Sequence, residues 1–308
     1  MLKMQNDLAP IGLSTYARLQ HLQLTIEALK KNSLATQSEL YVFSDAPKPG
    51  DEERVAEVRR YLRSIDGFKE IHIVERESNN RAANNRGGMN MLLELYGKMI
   101  FVAEDVVTAP GFLQYMNDAL SRYEDDKRVF SITGWCPNFI HEPRLPKGST
   151  FFSPRFTGWG MGIWKDRFEK MKAFSLEDVE KLKTNHVAMR RIYEQMGSDI
   201  LAMFAADALG RIDAGDVRCC YHQAITGELT LHPYPALSRN IGLDGTGEHC
   251  EKQQFEFNGE LGEDQIEYVL PENVLVDKNV AKLFVAAHQR DMPLLQKVKE
   301  KLLLLIMQ

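Results

Sequence analysis

Short apolar runs alternate with longer amphipathic stretches along the first 130 residues. The runs that are typical of strands cover residues 10–15, 40–43, 71–74 and 98–103. Between the first two runs, Leu22, Ile26 and Leu29 recur at the spacing of a helix. Continuous apolar strands that alternate with helices indicate a mainly parallel sheet covered on both faces. The pattern therefore predicts an α/β fold.

The pattern changes further along the chain. Residues 79–88 are polar and are predicted to form a loop, followed by a helix over 89–96 and another over about 110–123. After 129–132, loops rich in glycine, proline and aromatic residues replace the regular alternation. We interpret this second half as a lobe continuous with the first, not as an independent domain.

Polar residues follow three of the predicted strands. They are residues 15–18, Ser44 with Asp45, and Glu104 with Asp105. Ligands of mainly parallel sheets bind at the carboxyl ends of the strands. We therefore expect these side chains to converge on one crevice.

Composition narrows the classes of function. The 308 residues carry a net charge of −5 with a pI near 6.0, which is no electrostatic footprint for a nucleic-acid-binding protein. No apolar run approaches the roughly 20 residues that cross a bilayer, and the N-terminus shows no signal-peptide core. The four cysteines match neither a zinc site nor a disulfide scaffold. We expect reduced thiols and a cytoplasmic protein.

Asp105 is the first candidate for chemistry. A nucleoside diphosphate leaving group concentrates negative charge, and a hard divalent cation held by carboxylate oxygens neutralises it. Asp105 directly follows a buried strand, although a carboxylate that caps a helix would have the same pattern. A second acidic run, 124–126, follows a helix and precedes two basic residues. We interpret that run as a solvated turn.

Residues from about 10 to 250 resemble GT-A-fold glycosyltransferases. The resemblance is to inverting N-acetylglucosaminyltransferases of Golgi N-glycan processing and to bacterial transferases that build surface polysaccharides. Five stretches carry it in the family's order: 15–18, 42–45, 103–110, 158–164 and 238–249. The resemblance implies a GT-A (Rossmann-like) fold with a nucleotide-sugar-binding half over 8–132. It further implies an acceptor and catalytic half over 133–255, and we assign 256–308 to a helical appendage.

The same resemblance implies roles for residues at the strand ends. Arg18, in the stretch that contains Thr15 and Tyr16, would contact the diphosphate or the uridine. Asp45 would meet the nucleobase, Glu104 the ribose, and Asp105 a Mn²⁺ or Mg²⁺ ion. The family usually has three acids at 103–105, and Ala103 replaces the first. Since that acid touches the donor sugar in the Golgi enzyme, the identity of the sugar stays open.

An inverting transfer also needs a general base for the acceptor hydroxyl. Counting back from the His232-Pro233 pair, the resemblance aligns Asp216 with the family base. Gly215 and Cys219 stand where the family has tryptophan near this acid, and Asp213 is the second candidate.

Three further residues, Trp159, Asn84 and His249, complete the predicted site. Trp159, between two glycines, would stack on a sugar ring, whereas Trp164 is interpreted as a core residue. Asn84 lies in the polar stretch that in related enzymes closes around uracil. His249 would contact the phosphates or the cation, in a glycine-rich loop over 240–249 that could cover the diphosphate.

These observations predict a metal-dependent inverting glycosyltransferase that moves a sugar from a UDP-sugar to a saccharide or lipid-linked saccharide acceptor. Two alternatives are a sugar-nucleotide pyrophosphorylase, for which residues 14–18 lack the expected glycines, and a non-catalytic sugar-binding module. The C-terminal segment 293–308 is amphipathic with three lysines. We interpret it as a packed or dimerising helix, or as a peripheral contact with the inner face of a membrane.

Overall fold

A computed structural model describes residues 8–139, 145–245, 258–262, 267–289 and 293. Within them the chain forms ten strands and ten α-helices. The strands are β1 (Ile11–Thr15), β2 (Glu39–Ser44), β3 (Glu70–Glu75), β4 (Lys98–Ala103), β5 (Val106–Thr108), β6 (Val129–Thr133), β7 (Ser149–Ser153), β8 (Met161–Trp164), β9 (Leu229–Tyr234) and β10 (Ser238–Asn240).

The helices cover the sheet and build much of the second half. They are α1 (Leu19–Lys30), α2 (Glu52–Leu62), α3 (Arg81–Tyr96), α4 (Phe112–Arg122), α5 (Lys165–Phe168), α6 (Leu176–Thr184), α7 (His186–Arg191), α8 (Ile200–Ala208), α9 (Gly215–Thr226) and α10 (Lys278–His288). A short π-helical segment, Ile192–Met196, follows α7.

Eight strands form one sheet in the order β3-β2-β1-β4-β8-β6-β9-β7. Six of them run in one direction, and β8 and β7 run antiparallel to their neighbours. Strands β7, β8 and β9 come from the second half of the chain and join β6 and the other strands of the first half in one sheet. The predicted α/β class and mainly parallel sheet are confirmed.

Both faces of the sheet are covered, as continuous apolar strands require. Successive residues of β2 point to opposite faces. Leu40 and Val42 pack in one core cluster with Ile26 of α1, while Tyr41 and Phe43 pack in a second cluster with residues of α3.

A separate two-stranded ribbon lies beside the sheet. β5 pairs antiparallel with β10, so that Val106 stands opposite Asn240. β5 directly follows the Glu104-Asp105 turn. The ribbon therefore ties that turn to the beginning of the 240–245 loop from the second half of the chain.

One local prediction is wrong, and one differs from the structure at the start of its helix. The predicted loop over 79–88 is mostly helix, because α3 begins at Arg81. Asn80 caps it by accepting a hydrogen bond from the Ala83 N–H, an N-cap that the polar composition concealed. The predicted helix over 110–123 begins at Phe112 with Gly111 as its N-cap, so Pro110 lies outside it.

Beyond residue 289 only Pro293 is described, so the predicted C-terminal helix lies outside the described residues. The preceding helix, α10, is capped by Asp277 and packs its Phe284 against Phe151 of β7. None of the described helices combines the length and the apolar character that a membrane span requires.

Candidate functional site

A cavity of about 420 Å³ opens at the carboxyl ends of β1, β2 and β4. Eight of the residues predicted from the sequence line it: Thr15, Tyr16, Arg18, Asp45, Asn84, Glu104, Asp105 and Trp159. They come from strand ends, from α3 and from the loop before β8. The predicted convergence on one crevice is therefore seen in the structure.

Glu104 is held on its inner side by the end of β1. Its Oε2 accepts hydrogen bonds from the Thr15 hydroxyl at 2.6 Å and from the Tyr16 backbone N–H at 2.7 Å. Its Oε1 accepts from Arg18 Nε at 2.7 Å. Because both oxygens bond to the protein, this carboxylate acts first as the support that fixes Arg18.

Arg18 joins the two acids of the turn. Besides Glu104 it binds Asp105, with Nη2 at 2.6 Å from Oδ2. The Nη1 group of Arg18 is buried and makes no hydrogen bond within the described part of the chain. A buried guanidinium nitrogen without an acceptor favours an anionic partner in the cavity.

Gly242 covers the same oxygen of Asp105. A Cβ atom at this glycine would lie 2.1 Å from Asp105 Oδ2 and 2.9 Å from Arg18 Nη1. The position is fixed by a hydrogen bond from the Ile241 N–H to the Asp105 carbonyl at 2.8 Å. Only glycine fits there without a shift of its neighbours.

Asp45 serves mainly as an anchor for its own chain. Its carboxylate accepts hydrogen bonds from the backbone N–H groups of Ala46 and Asn80 and from the Asn79 side chain. Asp45 is 3% exposed. These bonds attach the segment before α3 to the end of β2, and they shape the wall of the cavity where the nucleobase was expected.

The side walls are fixed by further bonds. The amide of Asn84 donates to the Phe43 carbonyl at 3.0 Å, which holds α3 against β2. The Tyr16 hydroxyl donates to Asp51 at 2.8 Å and accepts from the Lys48 N–H at 2.8 Å. The tyrosine ring is thereby held at the opening of the cavity.

Asp216 lies near the N-terminus of α9, next to the segment that carries the cavity-lining Trp159. The Gly158 N–H donates to its Oδ2 at 3.2 Å, and a Cβ at Gly158 would lie 2.8 Å from the same atom. Burial of the carboxylate raises the pKa of Asp216, and the Gly158 N–H opposes this rise. Because Asp216 as a whole is exposed, its carboxylate is only partly desolvated.

Asp213, the alternative base, has a different environment. Its carboxylate pairs with Arg218 at 2.8 Å, and Arg218 also binds the buried Asp207. Unlike Asp213, Asp216 touches the Gly158-Trp159 segment, and Trp159 lines the cavity.

The donor set suits a cation that takes most of its ligands from a bound diphosphate. In the described residues, the acidic and histidine side chains nowhere gather in a group of three at this cavity. Asp105 offers one carboxylate there, which matches the way Mg²⁺ binds through one or two carboxylates plus substrate phosphates. The single such group, Glu39, Glu70 and His72, lies at the opposite end of β2 and β3, and Glu39 there already bonds to Tyr96 and Lys69.

Other predictions have separate outcomes. His249 and Cys250 lie outside the described residues. Trp164 is a core residue, 3% exposed, whose Nε1 donates to the Leu120 carbonyl. The acidic run 124–126 forms the turn between α4 and β6, as expected.

Several lining residues were missed by sequence reasoning. They are Lys48, Arg54, Arg81 and Asn85, whereas Asn240 begins the loop that was expected to cover the diphosphate. Arg81 and Asn85 were hidden by the wrong assignment of 79–88 to a loop. The N-cap at Asn80 would have placed both residues on the first turns of a helix that points into the crevice.

Comparisons with known proteins agree with the resemblance. No family model matches the chain. A curated relative, the alpha-1,3-mannosyl-glycoprotein 2-beta-N-acetylglucosaminyltransferase of Arabidopsis thaliana, is 26% identical over 154 residues. The match covers 45% of this chain and 34% of the relative, so the chain spans only about a third of that protein's length.

Two solved structures show partial similarity to this chain. S. aureus TarS 1–349 in complex with UDP-GlcNAc is 11% identical with a TM-score of 0.39, over 75% of this chain and 57% of that one. The mannosyltransferase PcManGT from Pyrobaculum calidifontis, in complex with GDP-Man and Mn2+, is 12% identical with a TM-score of 0.38, over 70% and 68%.

Proposed function

We propose that this protein is an inverting glycosyltransferase that moves a sugar from a UDP-sugar to a hydroxyl of a saccharide acceptor, in polysaccharide or glycoconjugate synthesis. The observation that carries the proposal is the crevice itself. It brings a buried pair of acids and a guanidinium with an unused donor to one cavity. Trp159 in its lining follows Gly158, whose N–H bonds to Asp216, an aspartate with a raised pKa.

The donor would lie along the ends of β1, β2 and β4. Arg18 offers Nη1 to a phosphate oxygen, and Tyr16 and Asn84 form walls that suit a nucleoside. Asp105 would hold a Mn²⁺ or Mg²⁺ ion. That ion, when bound, would neutralise the charge that develops on the diphosphate leaving group.

The acceptor would approach from the side of Trp159 and Asp216. An aromatic face beside the cavity suits stacking on a sugar ring. Asp216 would accept the proton of the attacking hydroxyl, while the acceptor oxygen forms its bond to C1 and the bond from C1 to the diphosphate breaks. The Gly158 N–H fixes one oxygen of this carboxylate and leaves the other for the proton.

Binding and turnover test the proposal separately. In a thermal-shift panel of UDP-sugars with and without Mn²⁺, at least one donor should raise the melting temperature of the protein. A ligand that binds the native state stabilises that state. The same donor should then be consumed in the presence of saccharide acceptors, with an inverted linkage in the product. Binding without any transfer or donor hydrolysis would favour the non-catalytic module instead.

A further inference from the structure

The turn at Glu104-Asp105 already contains a cation, the guanidinium of Arg18. It lies 2.7 Å from Glu104 Oε1 and 2.6 Å from Asp105 Oδ2. Both carboxylates are buried, at 5% and 8% exposure. A divalent ion that arrives alone therefore meets acids whose charge is partly neutralised and one oxygen that is directly bonded.

Access to that oxygen is also restricted from above. The α-carbon of Gly242 packs so closely on Asp105 Oδ2 that a Cβ would lie within 2.1 Å. The pairing of β5 with β10 and the bond from Ile241 to the Asp105 carbonyl hold the glycine in place. Of the groups around this oxygen, Arg18 is a flexible side chain that can move without breaking backbone hydrogen bonds.

A nucleoside diphosphate offers Arg18 a second anionic partner. The Nη1 atom of Arg18 is buried without a hydrogen-bond acceptor among the described residues. It lies on the Gly242 side of the guanidinium. Guanidinium groups bind phosphate through two parallel hydrogen bonds, which a single carboxylate oxygen of Asp105 does not provide. Phosphate therefore competes with Asp105 for the same guanidinium.

We propose that Arg18 couples the two ligands: it blocks Asp105 against a free divalent cation and releases it when a diphosphate binds. The inference rests on the proposed function, since it assumes that this cavity takes a nucleoside diphosphate and a metal. By linkage, the nucleotide strengthens metal binding by the same factor as the metal strengthens nucleotide binding.

Mn²⁺ binding without turnover tests this coupling. Free Mn²⁺ is followed by electron paramagnetic resonance during titration of the full chain, with and without UDP. In the unchanged protein UDP should tighten Mn²⁺ binding by about 5- to 150-fold. In Arg18→Gln, Mn²⁺ alone should bind more tightly than in the unchanged protein, and the enhancement by UDP should shrink to the part that comes from phosphate ligation of the ion.

Arg54→Gln is the matched control. It removes one positive charge from the same cavity, but Arg54 pairs with Asp51 rather than with the acidic turn. It should leave Mn²⁺ binding in the absence of UDP unchanged. Equal tightening in both variants would mean that net charge, and not the contact of Arg18 with Asp105, governs the effect, and would overturn the proposal.

Two further outcomes separate the possible failures. If UDP and Mn²⁺ bind but Mn²⁺ alone binds Arg18→Gln no more tightly than the unchanged protein, the coupling is wrong and the proposed function stands. If the unchanged protein binds neither UDP nor Mn²⁺ with UDP, both fall. Should the glutamine variant fail to fold in a circular dichroism melt, Arg18→Lys takes its place with a different expected result. An ammonium group keeps the charge beside Asp105 without the planar fork, so Mn²⁺ alone should bind as in the unchanged protein while the enhancement by UDP shrinks; an undiminished enhancement would overturn the proposal.

Discussion

Asp105 and Asp216 each lie against a glycine, but the two carboxylates are held differently. Asp105 lies under Gly242 and is bonded to Arg18, within a ribbon and a network that include Thr15 and Glu104. The described hydrogen bonds to Asp216 come from two backbone N–H groups, those of Gly158 and of Asp216 itself, and the residue is exposed. The carboxylate that we propose to hold the metal is preorganised by its own chain, whereas the carboxylate that we propose as the base stays available for a proton.

The largest expected effect is on the rate of transfer when Asp216 is replaced. Asp216→Asn keeps the shape and the bond from Gly158 but removes the base, so kcat should fall by about 10²- to 10⁴-fold. Affinity for UDP with Mn²⁺ should be unchanged, because the donor wall is intact. Asp213→Asn is the matched control and should stay within a few-fold in initial-rate assays. A larger loss in Asp213→Asn than in Asp216→Asn would exchange their roles.

Asp105→Asn should instead weaken the binding of the donor. It removes the charge that would hold the ion, so the Mn²⁺-dependent part of donor binding should weaken by about 100-fold, or roughly 3 kcal/mol. Calorimetric titration of UDP with and without Mn²⁺ measures this part directly. Asp118→Asn, an exposed acid on α4, is the control. Donor binding that keeps its full dependence on Mn²⁺ would place the ion elsewhere.

The acid limb of the pH profile of the transfer rate should report on Asp216. The base works only when deprotonated, and burial raises the pKa of Asp216 above the ordinary aspartate value of 3.8. The transfer rate should therefore be maximal well above that pKa and should be lost as the pH falls through it. The midpoint of this loss should lie above pH 3.8. In Asp216→Asn the residual rate should lack this limb. A limb that persists in that variant belongs to another group.

The smallest effect should come from the two glycines. Gly242→Ala forces an atom to within 2.1 Å of Asp105 Oδ2 on a backbone held by the β5–β10 ribbon, and overpacking of this kind costs about 1–3 kcal/mol. Gly158→Ala meets Asp216 at 2.8 Å, where an exposed side chain can move, so its melting temperature should fall less. Gly87→Ala, with nothing within 4 Å of its Cβ, should not destabilise. Equal losses in the first two variants would show that both sides are equally rigid.

The strand ends were predictable because periodicity and burial are local properties. Thr15, Asp45 and Glu104 each end an apolar run, and parallel strands bring such ends together. The start of α3 was missed because Asn80 and Arg81 have the composition of a loop, and only the capping bond distinguishes them. The occupation of Asp45 by backbone donors was also out of reach, since hydrogen-bond saturation depends on partners 34 and 35 residues away.

The contact of Gly242 with Asp105 was unpredictable for a similar reason. It depends on how β10 pairs with β5 across more than 130 positions, and no periodic pattern records that pairing. The sequence motifs include both the glycine and the carboxylate, but not the contact between them. The roles of Asp216, Trp159 and His249 stay predictions, since they depend on an acceptor and on residues beyond the described chain.

The β5–β10 ribbon has a consequence for protein engineering. Strands β7, β8 and β9 of the second half share one sheet with the strands of the first half, and the ribbon joins residues 106–108 to 238–240 at the acidic turn. A chimera that exchanges the second half to alter the acceptor would also replace Gly242 and the roof over Asp105. Recombination points that preserve donor use must therefore keep 238–242 with the parent that supplies residues 103–108.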